Sequence, residues 1–144
     1  MQVHQILKSK ADDAVVTVTP DTSVRDAAQI LAKRRIGTVV ISEDGQAPLG
    51  ILSERDIVLE IAQMGAGALT DRVDQHMTKK LVTCARDDSA DAVLATMTEK
   101  RFRHMPVMEG DVMVGLITLG DVVKARLSEL SMEKDALESM IMGH

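Results

Sequence analysis

The chain has 144 residues, 45% of them hydrophobic and 27% charged, with a formal net charge of −5. That length suits one compact domain or two small units sharing a core, and burying about two thirds of the unfolded surface needs no covalent staples. With one Phe and no Trp or Tyr, the core must be aliphatic, helped by ten Met, and base stacking on aromatic platforms is excluded. The acidic balance offers no phosphate-neutralising face, so no nucleic acid partner is expected. A lone cysteine, Cys84, rules out an internal disulfide framework and fits a reducing compartment. No apolar run could span a membrane, and the start Met1-Gln-Val-His-Gln-Ile-Leu-Lys8 has no signal-peptide core, so a cytoplasmic location is expected.

In chain order, Val3-His-Gln-Ile-Leu7 reads as a short helical turn, and Lys8 to Ala14 as a linker. Val16-Thr17-Val18 reads as a strand. Ser23 then caps a helix, with Asp26 three residues on as a capping box, and Val24, Ala27, Ala28 and Leu31 fall on one face. Arg35 ends it. Thr38-Val-Val-Ile41 is a second strand, Glu43-Asp-Gly45 a turn, and Leu49-Gly-Ile-Leu52 a third strand. Ser53-Glu-Arg-Asp56 opens a helix, and Gly65-Ala-Gly-Ala-Leu69 reads as a flexible link.

The same order then returns. Val73-Asp-Gln-His-Met77 resembles the opening turn, and Val82-Thr83-Cys84 the first strand. Ser89 caps a helix whose stripe is Ala90, Val93, Leu94 and Met97, with Arg101 in register with Arg35. His104-Met-Pro-Val-Met108, the turn Glu109-Gly-Asp111, Val114-Gly-Leu-Ile117 and Thr118-Leu-Gly-Asp121 follow. The offset is 66 residues before the hairpin turn and 65 after it, one deletion where a hairpin tolerates it. Each half reads helix–strand–helix–strand–strand–helix. At roughly 60 residues neither buries enough to stand comfortably alone, so the two are expected to share a core. Ser128 to Met142 continues beyond the repeat, with Leu130, Leu137, Met140 and Ile141 available for one face. Met132, Met140 and Met142 read either as filler or as an adaptable docking surface.

The duplicated pattern apolar-Gly-apolar-apolar-Ser/Thr-x-x-Asp, with Met105-Pro106-Val107 before its second copy, resembles a tandem pair of CBS domains, a Bateman module. The first copy has Val40 where the second has Pro106. The likeness covers residues 3 to 127. It implies an α+β fold of two repeats packed sheet to sheet with pseudo-two-fold symmetry: 3–66 as repeat 1, 73–130 as repeat 2, and 131–144 as a helical tail. It also implies an adenosine-containing ligand, such as AMP, ADP, ATP, NAD(H) or S-adenosylmethionine, held in clefts between the repeats. Family pairs commonly form flat dimers through the helices that follow the Ser/Thr-x-x-Asp segments, here Ile57-Val58-Ile61 and Val122-Val123-Leu127, so a homodimer is expected.

The chemistry of the tetrapeptide supports this. Ser53 and Thr118 lie where a strand gives way to a helix, whose unpaired N–H groups and partial positive charge suit a phosphate. Asp56 and Asp121, one helical turn on, suit the two hydroxyls of a ribose. The same spacing also describes an ordinary capping box, and the two roles are compatible. By the resemblance, one site combines Val16 and Ile36 with Leu116, Thr118 and Asp121. Its mirror combines Val82 and Phe102 with Ile51, Ser53 and Asp56. Arg103 and His104 occupy positions where relatives contact phosphate, against the uncharged Gly37 and Thr38 in the first repeat. Stronger phosphate binding is therefore expected at the Thr118/Asp121 site. Arg55 is either a partial substitute in the first site or a solvated helix residue.

The four His are scattered, so no metal is expected. Cys84 reads as a small buried hydrophobe. No positioned base or nucleophile converges, so an enzyme is not expected. The leading expectation is a regulatory module sensing adenine nucleotides and acting on an unidentified regulated protein. The alternative is a structural dimeric adaptor whose sites are vestigial.

Overall fold

The computed structural model describes residues 1–10 and 14–143. Among these residues five α-helices and five strands run in the order α1 (Val3–Ser9), β1 (Thr17–Val18), α2 (Val24–Arg34), β2 (Thr38–Ile41), β3 (Gly50–Ser53), α3 (Glu54–Met64), α4 (Ala90–Lys100), β4 (His104–Glu109), β5 (Val112–Thr118) and α5 (Leu119–Ile141). This is the mixed α and β content expected. Two compact units form: Met1–Asp13 with Val82–Glu109 and Gly115–His144, and Ala14–Leu81 with Gly110–Val114.

In the second of these units the sheet order is β1-β2-β3, with β1 parallel to β2 and β2 antiparallel to β3. Val39, Val40, Ile41 and Leu52 are fully buried, as β-branched and aliphatic runs must be when both sheet faces are covered. Helix α2 lays Val24, Ala27 and Leu31 into the same core, each large side chain contributing about 1.5–3 kcal/mol. The Asp26 N–H donates to Ser23 Oγ at 3.0 Å, but the reciprocal half of the expected capping box is missing. The amide of Val24, the first helical residue, donates to the carbonyl of Asp71 at 2.9 Å. The segment read as a flexible link is a 3-10 helix, Ala66–Thr70, pinned by the buried Ala68. A second 3-10 turn, Val73–Gln75, buries Val73. His76 beside it contacts Asp71 at 2.8 Å and Glu60 at 3.2 Å, tying that turn to α3.

In the first unit α4 buries Ala90, Val93 and Met97, and β4 pairs with β5. The expected strand Val82–Cys84 is reduced to one parallel bridge between Cys84 and Val107. Cys84 N–H still donates to the Pro106 carbonyl, and Met108 N–H to the Cys84 carbonyl. The flanking Val82 and Thr83 make no ladder because Pro106, standing where Val40 stands in the first repeat, has no N–H to give. Helix α5 runs unbroken for 23 residues, so the tail beyond the repeat continues the repeat's own last helix.

Each unit takes its opening turn from the other repeat. Helix α1 joins the second repeat's elements, where Val3 N–H donates to Asp88 O and Ala90 N–H to Met1 O. The turn at Val73 joins the first repeat's, with Val73 N–H donating to Thr22 O. The repeat symmetry extends to backbone detail. Arg35 and Arg101 both cap their helices in the left-handed region, at φ 54° and 60°, and the next amides, Ile36 and Phe102, donate to Leu31 O and Met97 O.

Candidate functional site

Both tetrapeptides form complete capping boxes. In the first, Asp56 N–H donates to Ser53 Oγ at 3.1 Å and Ser53 N–H donates to Asp56 Oδ2 at 2.9 Å. In the second, Asp121 N–H donates to Thr118 Oγ1 at 3.1 Å and Thr118 N–H to Asp121 Oδ2 at 3.0 Å. The strand must end and the helix begin within one residue, and each box satisfies two orphaned amides at that junction. All four residues are half-buried. The box uses one carboxylate oxygen of each aspartate, Oδ2.

The residues around each box are held alike. Gly37 O accepts the Glu54 N–H at 2.9 Å, and its repeat counterpart, Arg103 O, accepts the Leu119 N–H at 2.8 Å. The structure therefore brings Gly37 and Thr38 to Ser53, since Thr38 pairs with Ser53 across β2–β3 and its Oγ1 donates to Leu52 O. It likewise brings Arg103 to the start of α5. Arg103 is exposed, whereas His104 opens β4 half-buried. Ile36 follows Arg35, the cap of α2, and Val16 precedes β1, its carbonyl accepting Val40 N–H at 3.0 Å. Ile51 lies in β3 beside Ser53, and Leu116 in β5 beside Thr118. Val82 and Phe102 are half-buried in the unit that holds Thr118. Arg55 is exposed on the first turn of α3.

One residue at the Asp121 box escaped sequence reasoning. Lys10, in what read as linker, places Nζ 2.9 Å from Asp121 Oδ2 and donates to Leu116 O at 3.0 Å. No local motif announces such a contact, because the two residues lie far apart in sequence. Burial by itself raises the Asp121 carboxyl, but the Lys10 hydrogen bond, the Thr118 amide, the Lys10 charge and the Thr118 hydroxyl outweigh it and hold it below the ordinary carboxylate range. Among the described residues Asp56 has no ion-pair partner.

A groove of about 480 Å³ lies on the helical side of the β1–β3 unit, between α2 and α3. Of the expected ligand residues only Ile36 and Gly37 line it; Ser53 and Asp56 do not. Ile57 and Val122, expected on an exposed dimer face, are buried, because they are the residues by which α3 and α5 hold their own units. Their neighbours Val58, Ile61, Val123 and Leu127 are exposed. Among the described residues no helix is long and apolar enough to cross a membrane.

The same strand–helix junction, with an aspartate in its capping box, stands in each of the two units. The family model for the CBS domain matches residues 6–63 and 73–128. The chain belongs to the CBS-domain family, as a pair. It is 32% identical to a mitochondrial CBS domain-containing protein of Arabidopsis thaliana over 98% of this chain and 72% of that one. A CBS-domain protein of Agrobacterium tumefaciens superposes with a TM-score of 0.82 at 42% identity, covering 88% of this chain and 99% of that one. A CBS domain pair solved in complex with 5′-methylthioadenosine and S-adenosyl-L-methionine superposes with a TM-score of 0.77 at 25% identity, over 90% and 98% of the two chains.

Proposed function

We propose that this chain is a regulatory module that takes adenine-containing ligands at the Ser53/Asp56 and Thr118/Asp121 junctions. The observation that carries the reading is the pair of capping boxes. Each uses Oδ2 of its aspartate for one capping amide and leaves the carboxylate's remaining acceptor sites for the two ribose hydroxyls, while the hydroxyl and the helix N-terminus face a phosphate. The complex of a related pair with two adenosine compounds supports the ligand class. Val16, Ile36, Val82 and Phe102, with Ile51 and Leu116 beside the boxes, would supply apolar surface for adenine. AMP is the first candidate, with ADP, ATP, NAD(H) and S-adenosylmethionine behind it. No metal takes part.

The module is a homodimer in this reading, joined by the exposed apolar sides of α3 and α5, and its ligand biases their packing against a regulated protein. Nothing in the site positions a base or nucleophile, so the role is binding and not catalysis. The buried lone thiol suits a reducing interior such as the cytoplasm.

A thermal-shift panel with AMP, ADP, ATP, NAD, NADH and S-adenosylmethionine tests this. Ligand at 100 times its Kd stabilises by about 2.7 kcal/mol, and Asp56→Ala and Asp121→Ala each remove the part of the shift that belongs to their site. A flat response to all six ligands overturns it. A specific observation favours a second reading in that event: both boxes are internally satisfied and Asp121 already carries a cation, as a structural adaptor with vestigial sites would have them.

A further inference from the structure

The two junctions differ in one respect that the repeat does not explain. The carbonyls of Ile51 and Leu116 stand at the same repeat position in β3 and β5. In one, the acceptor is filled by backbone: Thr78 N–H donates to Ile51 O at 2.8 Å. In the other it is filled by a charge: Lys10 Nζ donates to Leu116 O at 3.0 Å and pairs with Asp121 Oδ2 at 2.9 Å. Lys10 and Asp121 are only about one-fifth exposed, at 21% and 22%, so water screens the pair less than a surface pair. Oδ2 thus serves both the Thr118 amide and an ammonium. A ribose diol that takes both carboxylate oxygens must share Oδ2 with that ammonium or displace it.

We infer that Lys10 is a built-in competitor at the Asp121 junction, making that site discriminate against neutral adenosine and in favour of anionic adenylates. The inference rests on the proposed role of Asp121 as ribose acceptor. Neutral adenosine, whether it shares Oδ2 or displaces the ammonium, weakens the pair and offers the ammonium no charge in exchange. An adenylate weakens it too, but brings a phosphate that gives the ammonium a new anion. Among the described residues the Asp56 carboxylate has no such ion-pair partner, so no such preference is expected there. The site is therefore graded by ligand charge through a residue outside the Ser/Thr-x-x-Asp motif.

The test is calorimetric titration of the full chain with adenosine and with AMP, in an Asp56→Ala background that silences the other junction. Lys10→Met keeps side-chain length and removes the charge and the donors. It is expected to tighten adenosine about ten-fold, the release of one charge-assisted hydrogen bond, and to narrow the ratio of AMP to adenosine affinity by a similar factor. Lys10→Arg keeps both the cation and the preference for AMP. Adenosine affinity that is unchanged or weaker in Lys10→Met, beside measurable binding to the parent, overturns the role of Lys10 and leaves the nucleotide reading standing. No heat with either ligand in any of these proteins, and none in the wild type, overturns both.

Discussion

Leu7 Cδ1 lies 2.9 Å from where a β-carbon on Gly115 would stand. The equivalent glycine of the first repeat, Gly50, is approached in the same way by Met77, through Sδ and Cγ. Leu7 and Met77 end the two opening turns that resemble each other in sequence. The glycine in each apolar-Gly-apolar-apolar strand is therefore a seat for the last apolar residue of an opening turn. Backbone freedom is not the reason for it, since neither glycine has a positive φ.

Gly115→Ala should overpack this seat and cost about 1–3 kcal/mol, read as a fall of several degrees in Tm. Leu7→Ala opens a hole and costs about 2–5 kcal/mol. The double variant should recover part of the sum, because the new methyl occupies the space the leucine leaves. Full additivity in the double-mutant cycle would show that the two residues do not share a site. Gly50→Ala should be the less forgiving of the two glycine variants. Met77 can swing aside, but the Thr78 carbonyl oxygen, 3.0 Å from the added carbon, is held by the Ile51 N–H.

The capping boxes predict a stability effect that needs no ligand. Ser53→Ala and Thr118→Ala should each cost about 1 kcal/mol, the usual loss of an N-cap oxygen. Denaturant melts of the ligand-free protein measure it directly, with an unchanged m-value marking a local loss. A ligand role alone, without capping, would leave these melts unmoved.

Much of this was legible in sequence, and the reason is physical. Helix faces, caps and turns are set by neighbours within four residues, so the stripes Val24-Ala27-Leu31 and Ala90-Val93-Met97 and the boxes at Ser53 and Thr118 could be read directly. The duplication set Gly37 and Thr38 in register with Arg103 and His104, and Gly37 O and Arg103 O do take equivalent helix-start amides. What failed depends on distant partners. The start of α2 is tied to Asp71, whose carbonyl takes the Val24 N–H, and the bridge at Cys84 fails to extend beside a proline. Lys10 lay hidden for the same reason, since nothing local marks a lysine that reaches across more than a hundred residues.

Acid should act through Asp121. Its folded-state carboxyl titrates below the ordinary range, so the ion pair contributes stability above the unfolded value of about 3.9 and loses it as pH falls through the lower folded value. Wild type and Asp121→Asn should therefore differ most in stability near neutrality and converge toward pH 3. A gap between the two melts that stays constant from pH 7 to pH 3 would remove the pair from the account of stability.

Cys84 should be chemically silent in the folded protein. Burial, and then the charge of Asp88, pushes its thiol up to about 12, and its Sγ–H points to the Pro106 carbonyl at 3.8 Å. The thiolate is the reactive species, so alkylation by iodoacetamide at pH 8 should proceed at the rate of opening and become fast only in denaturant. Rapid native labelling would mean that the single bridge to Val107 does not hold this segment against β4.

The proposed dimer makes the last prediction. Val58 is 65% exposed and Leu127 63%, and both sit on α3 and α5 next to residues that are buried, Ile57 and Ala125. Helices with an inward stripe so close to outward apolar residues bury the second stripe only by meeting another surface. Val58→Glu and Leu127→Glu should leave each unit's core intact, because neither side chain enters it, while placing a charge where an apolar partner would lie. Light scattering should then report the dimer mass for wild type and the monomer mass for the double variant, with circular dichroism unchanged. A wild type that remains monomeric at high micromolar concentration would remove the dimer and return these helices to solvent.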